Sequence, residues 1–149
     1  MKKLLLIISF FFVYTLNAQV QDFFFDISPC TFQEDQSMTI TIDGSSVDEA
    51  LWNVTDNGLY LWAWSFDSNN QNILDSPSNG EWTNSSEDNR FSYNSSSDTY
   101  TFSFTPTTFY NRTNIGSIGF LIKAKSGDGD KKTPDYVFEM GETQFILFV

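Results

Sequence analysis

Apolar and polar residues alternate along much of this chain with the period of two that marks half-buried strands. In "SMTITID" Met38, Ile40 and Ile42 alternate with Thr39 and Thr41, and in "DTYTFSFTP" Tyr100, Phe102 and Phe104 alternate with Thr99, Thr101, Ser103 and Thr105. Pro106 lacks an N–H for a ladder and closes the second of these strands. "SIGFLIKAK" places Ile118, Phe120, Ile122 and Ala124 on one side. Gly119, Leu121, Lys123 and Lys125 take the other, which drifts from apolar to charged. This drift predicts a strand that emerges from the core toward solvent at Lys123. "DFFFDISP" (22–29), "DYVFEM" (135–140) and "TQFILFV" (143–149) predict three more strands.

The segment "LYLWAWSF" sharpens the pattern. Leu59, Leu61, Ala63 and Ser65 face one way, and Tyr60, Trp62, Trp64 and Phe66 face the other. The aliphatic set makes a normal core face. A row of four aromatics is too apolar to be simply solvated, so it is covered by a loop, packed against a second sheet, or used by a ligand. Packing is expected for Tyr60 and Trp62, whereas Trp64 lies toward the strand end, beside a long polar loop.

Helical periodicity is nearly absent. Single helical turns are predicted around Glu49–Trp52 and within 105–113. Strands separated by Asn-, Ser-, Asp- and Gly-rich connections predict an all-β, antiparallel domain, most simply a two-sheet sandwich, with a small barrel as the alternative. Two loops are long, 67–90 and 126–135, and loops of that length are commonly functional or mobile.

The N-terminus reads differently. "MKKLLLIISFFFVYTLNAQ" has two lysines, an apolar run and a small residue, Ala18, at a cleavage point. Residues 1–18 are therefore read as a secretory signal peptide, with an uncleaved anchor as the alternative. Residues 19–149 form one expected domain, secreted, periplasmic or at the cell surface. Cys30 is too far from Ala18 to carry a lipid anchor at the mature N-terminus.

Charge and composition narrow the function. The formal charge is −11, and loss of Lys2 and Lys3 makes it two units more negative. Such a surface repels nucleic acid and leaves neutral ligands or cations as partners. The chain has no histidine and a single cysteine. Zinc sites with histidine ligands, Ser-His-Asp triads and Cys-His dyads therefore cannot be assembled. The carboxylates Asp75, Glu81, Glu87 and Asp88 lie in a polar loop where nothing raises a pKa, so glycoside hydrolysis is not expected. No enzyme activity and no cofactor are predicted. Asp128, Asp130 and Asp135 in "GDGDKKTPD" are oxygen donors around glycine turns, a weak calcium candidate set against a solvated hairpin balanced by Lys131 and Lys132. Trp82, alone in "NGEWTNSS", either pins its loop to the body or stacks on something outside. Exposed rings pair with the apolar faces of pyranose rings while nearby polar side chains bond the hydroxyls.

"LYLWAWSFDSNN", "NGEWTNSS", "YTFSFTPTTFYNRT" and "IGFLIKAKSGDGDKK" together resemble an immunoglobulin-like module of secreted Bacteroidota proteins. That module is similar to domains of starch-utilisation outer-membrane binding proteins and to starch-binding carbohydrate-binding modules. The resemblance covers roughly residues 55–140. It implies an immunoglobulin-like sandwich that binds a starch-like polysaccharide or oligosaccharide, in company with other domains or surface proteins of a glycan-uptake system. By that analogy Trp64 and Trp82, with Trp62 or Tyr60, stack on sugar rings, and Lys123, Lys125 or loop amides bond hydroxyls. The competing expectation is a spacer domain whose aromatics are all core.

Overall fold

The computed structural model describes residues 19–144. The expected signal peptide, and the part of the expected last strand from residue 145 onward, lie outside the described residues. Among the described residues there are ten strands: β1 (Phe25–Ser28), β2 (Met38–Asp43), β3 (Leu59–Asp67), β4 (Leu74–Asp75), β5 (Gly80–Glu81), β6 (Asn84–Ser85), β7 (Ser92–Asn94), β8 (Thr99–Phe104), β9 (Ile115–Ala124) and β10 (Tyr136–Glu139). They form two four-stranded antiparallel sheets, ordered β1-β2-β8-β7 and β10-β9-β3-β4, and a small β5-β6 hairpin. The fold is all-β, as the alternation predicts.

The long strands β2, β3 and β9 bury the face their sequence assigns to the core. Met38, Ile40 and Ile42 of β2 and Leu59, Leu61 and Ala63 of β3 are fully buried, as are Ile118, Phe120 and Ile122 of β9. These residues belong to one apolar cluster joining the two sheets. Phe25 of the first sheet meets Phe120 of the second edge to face, with ring centroids 5.7 Å apart. Apolar burial of this kind contributes about 1.5–3 kcal/mol per large side chain and is the main stabilising term.

Two single-turn helices plug the ends. α1 (Glu49–Trp52) starts at Asp48, whose carboxylate accepts from the Leu51 N–H, and stops at Asn53 in the left-handed conformation. It carries Trp52, which is buried against Phe23. α2 (Pro106–Phe109) follows β8 directly, with Pro106 in its first turn. One proline thus ends a strand and begins a helix, because its missing N–H is needed by neither.

The outer faces of the two sheets differ in chemistry. The first sheet presents hydroxyls: Thr39 pairs across strands with Ser103, their oxygens 2.7 Å apart, and Thr41 lies opposite Thr101. The second presents the aromatic side of β3.

The 67–90 segment is laid along the edge of β3 that β9 leaves unpaired. β4 pairs Asp75 with Trp64 and Leu74 with Ser65. Beyond it the ladder is continued by side chains. Buried Asn79 accepts from the Ala63 N–H at 3.0 Å and donates to the Ala63 carbonyl at 2.9 Å, so its amide acts as a strand residue. Buried Asn89 donates to the Leu61 carbonyl at 2.9 Å, and the Phe91 N–H reaches the Leu59 carbonyl. A polar loop in sequence is therefore a strap that hides a sheet edge.

Candidate functional site

The outer face of the second sheet is a lattice of register-matched rows. Trp64 on β3 lies beside Gly119 on β9 and Asp75 on β4, and Gly119 lies beside Val137 on β10. The row on one side brings Trp62 against Leu121, and the row on the other brings Phe66, Ser117 and Glu139 together. Directly opposed residues in an antiparallel pair share a face. The rows therefore place Trp62, Trp64 and Phe66 on one face along β3, with successive Cα atoms roughly 6–7 Å apart.

Gly119 makes this surface what it is. The Trp64 indole lies directly over it, and a Cβ at residue 119 would fall inside the ring. The absence of a side chain lets the indole fold down across β9. Trp62, Trp64 and Phe66, with Ile73, Leu121 and Val137, line an open groove of about 480 Å³ whose acidic lining residues are Asp75 and Asp135. Ile73 and Val137 are 66% and 53% exposed. Apolar side chains concentrated at such exposure mark a surface that meets something. A somewhat larger depression of about 530 Å³ on the other sheet is lined by Phe24, Phe25, Asp26, Thr41, Asp43, Ser97 and Thr99. It holds Phe24 and Phe25 but no row of rings along one strand, so the aromatic groove is the better candidate.

The remaining residues picked out by sequence take other places. Lys123 does not emerge toward solvent; its exposure is 0%. The expectation fails because the β5-β6 hairpin, which comes from the distant 67–90 segment, folds over this end of β9. Trp82 at the hairpin tip sits on Gly127, where a Cβ would collide with its ring, and its carbonyl accepts from the Gly127 N–H at 2.9 Å. Its indole meets Trp62 edge to face at 5.3 Å. The Lys123 ammonium is enclosed beneath these rings, 5.1 Å from the Trp82 centroid and 5.7 Å from that of Trp62. It donates to the Ser85 hydroxyl at 2.6 Å and the Lys125 carbonyl at 3.1 Å. Among the described residues no carboxylate forms a salt bridge with it. Burial pushes its pKa down to about 8, and Lys125 nearby adds to the fall. Lys123 is thus an internal cation and out of a ligand's reach, and half-buried Trp82 is the staple that covers it.

Tyr60 and Lys125 belong to a closed polar network. Tyr60 is 2% exposed, and its hydroxyl donates to Glu87 at 3.0 Å. Lys125 and Arg90 both pair with Glu87, and both cations lie near the Tyr60 ring, at 4.9 and 5.9 Å. The Lys125 hydrogen bond holds the Glu87 carboxyl below its usual range. Arg90 also bonds Asp56 at 2.8 Å. These groups already satisfy one another and serve to lock the strap onto β3.

Asp128, Asp130 and Asp135 do not converge. Among the described residues no group of three carboxylate, histidine or cysteine side chains could hold a metal ion. Asp135 instead accepts from Lys132 at 3.3 Å.

Of the six residues singled out for a ligand, the structure brings Trp62 and Trp64 together on an open groove. Phe66, Asp75, Leu121 and Gly119 join them and carried no separate signal in sequence, except that Phe66 and Leu121 fall on the alternation. No protein family matches the chain, and no curated protein is similar enough to it to count as a relative.

Proposed function

We propose that the protein is an exported, non-catalytic glycan-binding module whose binding surface is the Trp62–Trp64–Phe66 row on the outer face of the second sheet. The observation that carries this reading is the Trp64 indole, laid over Gly119 in an open groove with Asp75 beside it. Aromatic rings on a rigid strand offer the apolar faces of sugars a flat partner at little entropic cost, and the carboxylates accept hydrogen bonds from hydroxyls. The strand orders support an immunoglobulin-like sandwich: β1-β2-β8-β7 corresponds to A-B-E-D and β10-β9-β3-β4 to G-F-C-C′. A starch-like ligand, and a place among other proteins of a glycan-uptake system, rest on the sequence resemblance alone.

A second reading has its own observation. Ile73 and Val137 widen the apolar surface beyond the rings, and a protein partner in a larger assembly would also cover such a patch, leaving the domain as a spacer.

Affinity electrophoresis of residues 19–149 through gels holding soluble starch or neutral β-glucans separates the two. The glycan reading expects retardation by at least one polymer, reduced in Trp64→Ala and in Gly119→Ala, whose new methyl displaces the indole. Migration unaffected by every polymer would favour the spacer.

A further inference from the structure

We infer that the groove selects uncharged glycans and rejects acidic ones such as uronate-containing or sulfated chains. The inference rests on the glycan-binding reading and adds to it the charge class of the ligand. Its basis is the distribution of charge around the rings.

Three carboxylates lie on or beside this face. Asp75 lies directly opposite Trp64 on β4. Glu139 shares a row with Ser117 and Phe66. Asp135 lines the groove together with Trp62 and Leu121. Tyr136 and Phe138 turn inward to pack on Phe120, which leaves Val137 and Glu139 on the outer face.

One cation meets the rim, Lys132 at Asp135, and it leaves Asp75 and Glu139 without a salt bridge among the described residues. Among the described residues that line the groove none is basic. Lys123, on the same face, is buried under Trp82 and Trp62. Lys125 is held by Glu87. Lys132 donates to the Thr133 carbonyl and to Asp135 itself. Arg112, near the Phe66 end, spends its guanidinium on the carbonyls of Ser65 and Asn72 and on the Ser65 hydroxyl. The Asp75 carboxylate has no hydrogen-bond partner within the protein among the described residues, so it is available to accept from a hydroxyl.

The charged groups that a ligand on the rings meets are therefore carboxylates, beside the neutral indole N–H groups of Trp62 and Trp64. Sugar hydroxyls are donors and match that rim, whereas a ligand carboxylate or sulfate is repelled, since like charges brought together across an interface cost affinity. The carboxylates are too dispersed to gather a bridging metal ion, so a cation-mediated contact to an acidic chain has no assembled site here.

Matched polymers test this: soluble starch against carboxymethyl starch, and hydroxyethyl cellulose against carboxymethyl cellulose, each titrated at low and at high salt. The expected result is that the neutral member of whichever pair binds does so about tenfold more tightly at low salt, with the gap narrowing as salt screens the rim. In Asp75→Asn/Asp135→Asn the neutral-to-acidic ratio falls toward one. Equal binding of a neutral polymer and its carboxymethyl counterpart would overturn the inference and leave the glycan reading standing. Tighter binding of the acidic member would do the same. Binding of neither member of any pair would overturn both.

Discussion

The ammonium of Lys123 lies 5.1 Å from the ring centroid of Trp82, in a fully buried position with only a hydroxyl and a carbonyl as hydrogen-bond acceptors. The two residues are far apart in sequence and each explains the other: the indole covers a cation, and the cation gives the ring's electron-rich face a partner. That pair divides the aromatic residues of the outer face into those that hold the fold and those left free.

Burying an ammonium without a carboxylate costs stability, and the cost has a pH signature. The folded pKa of Lys123 is about 8, against about 10.4 in an unfolded chain. Between those values the unfolded chain binds the extra proton, so stability rises as pH increases from 8 toward 10. Below 8 both states are protonated and the full penalty applies. Near pH 10 and above, Tyr100, Tyr110 and Tyr136, whose pKa values burial raises, oppose the trend. Unfolding melts across pH 7–11 should therefore show a maximum on the alkaline side. Lys123→Met should be more stable than wild type at pH 7 by about 1–2 kcal/mol and lose the rise between 8 and 10. A flat profile, or a destabilised Lys123→Met, would count against this account of the buried cation.

Trp82 and Trp64 should respond differently to truncation. Trp82→Ala uncovers Lys123 and removes contacts with Trp62 and Gly127, which should cost about 2–3 kcal/mol, at or a little below the range for large aromatic-to-alanine changes. Trp64→Ala removes a ring that lines an open groove and should cost about 1 kcal/mol or less. Chemical denaturation of both variants decides it. Equal losses would mean that Trp64 is a packing residue as well.

The same logic applies to the strap. Asn79 supplies both a donor and an acceptor to the backbone of Ala63. Asn79→Ala leaves the Ala63 N–H unpaired, while the Ala63 carbonyl keeps the Ser76 N–H at 2.9 Å, and should destabilise the protein by about 1–3 kcal/mol. Asn79→Asp should also destabilise, since it replaces the donating amide by a charge. Amide hydrogen exchange should show the Ala63 N–H losing protection in Asn79→Ala, whereas Asn79→Asp keeps an oxygen to accept from it. Unchanged protection would show that the strap does not depend on Asn79.

Much of the fold was legible because it is written in alternation. The faces of β2, β3, β8 and β9 follow directly from their period of two, and the helical turn at Glu49–Trp52 follows from Asp48 and the apolar pair after it. The strap was not legible. Asn79 and Asn89 sit among serines and glycines, and a side-chain amide that imitates a strand residue leaves no mark in hydrophobic pattern. Lys123 was misread for a related reason: charge at a strand end signals solvent only when nothing folds over it, and the hairpin that does so lies some forty residues earlier. The candidate site was half legible. Trp62 and Trp64 stood out by type and position, whereas Gly119 acquires meaning only through its register with Trp64.

The central claim is that Trp64 meets a glycan. The four tryptophans give indole N–H signals in a two-dimensional nitrogen–proton spectrum, each assignable by substitution. Titration with an oligosaccharide of the polymer that retards the protein should shift the Trp64 signal most and Trp62 next, while Trp52, buried on the other side of the sheet, stays fixed. A Trp64 indole that remains unmoved at saturating ligand would contradict the account.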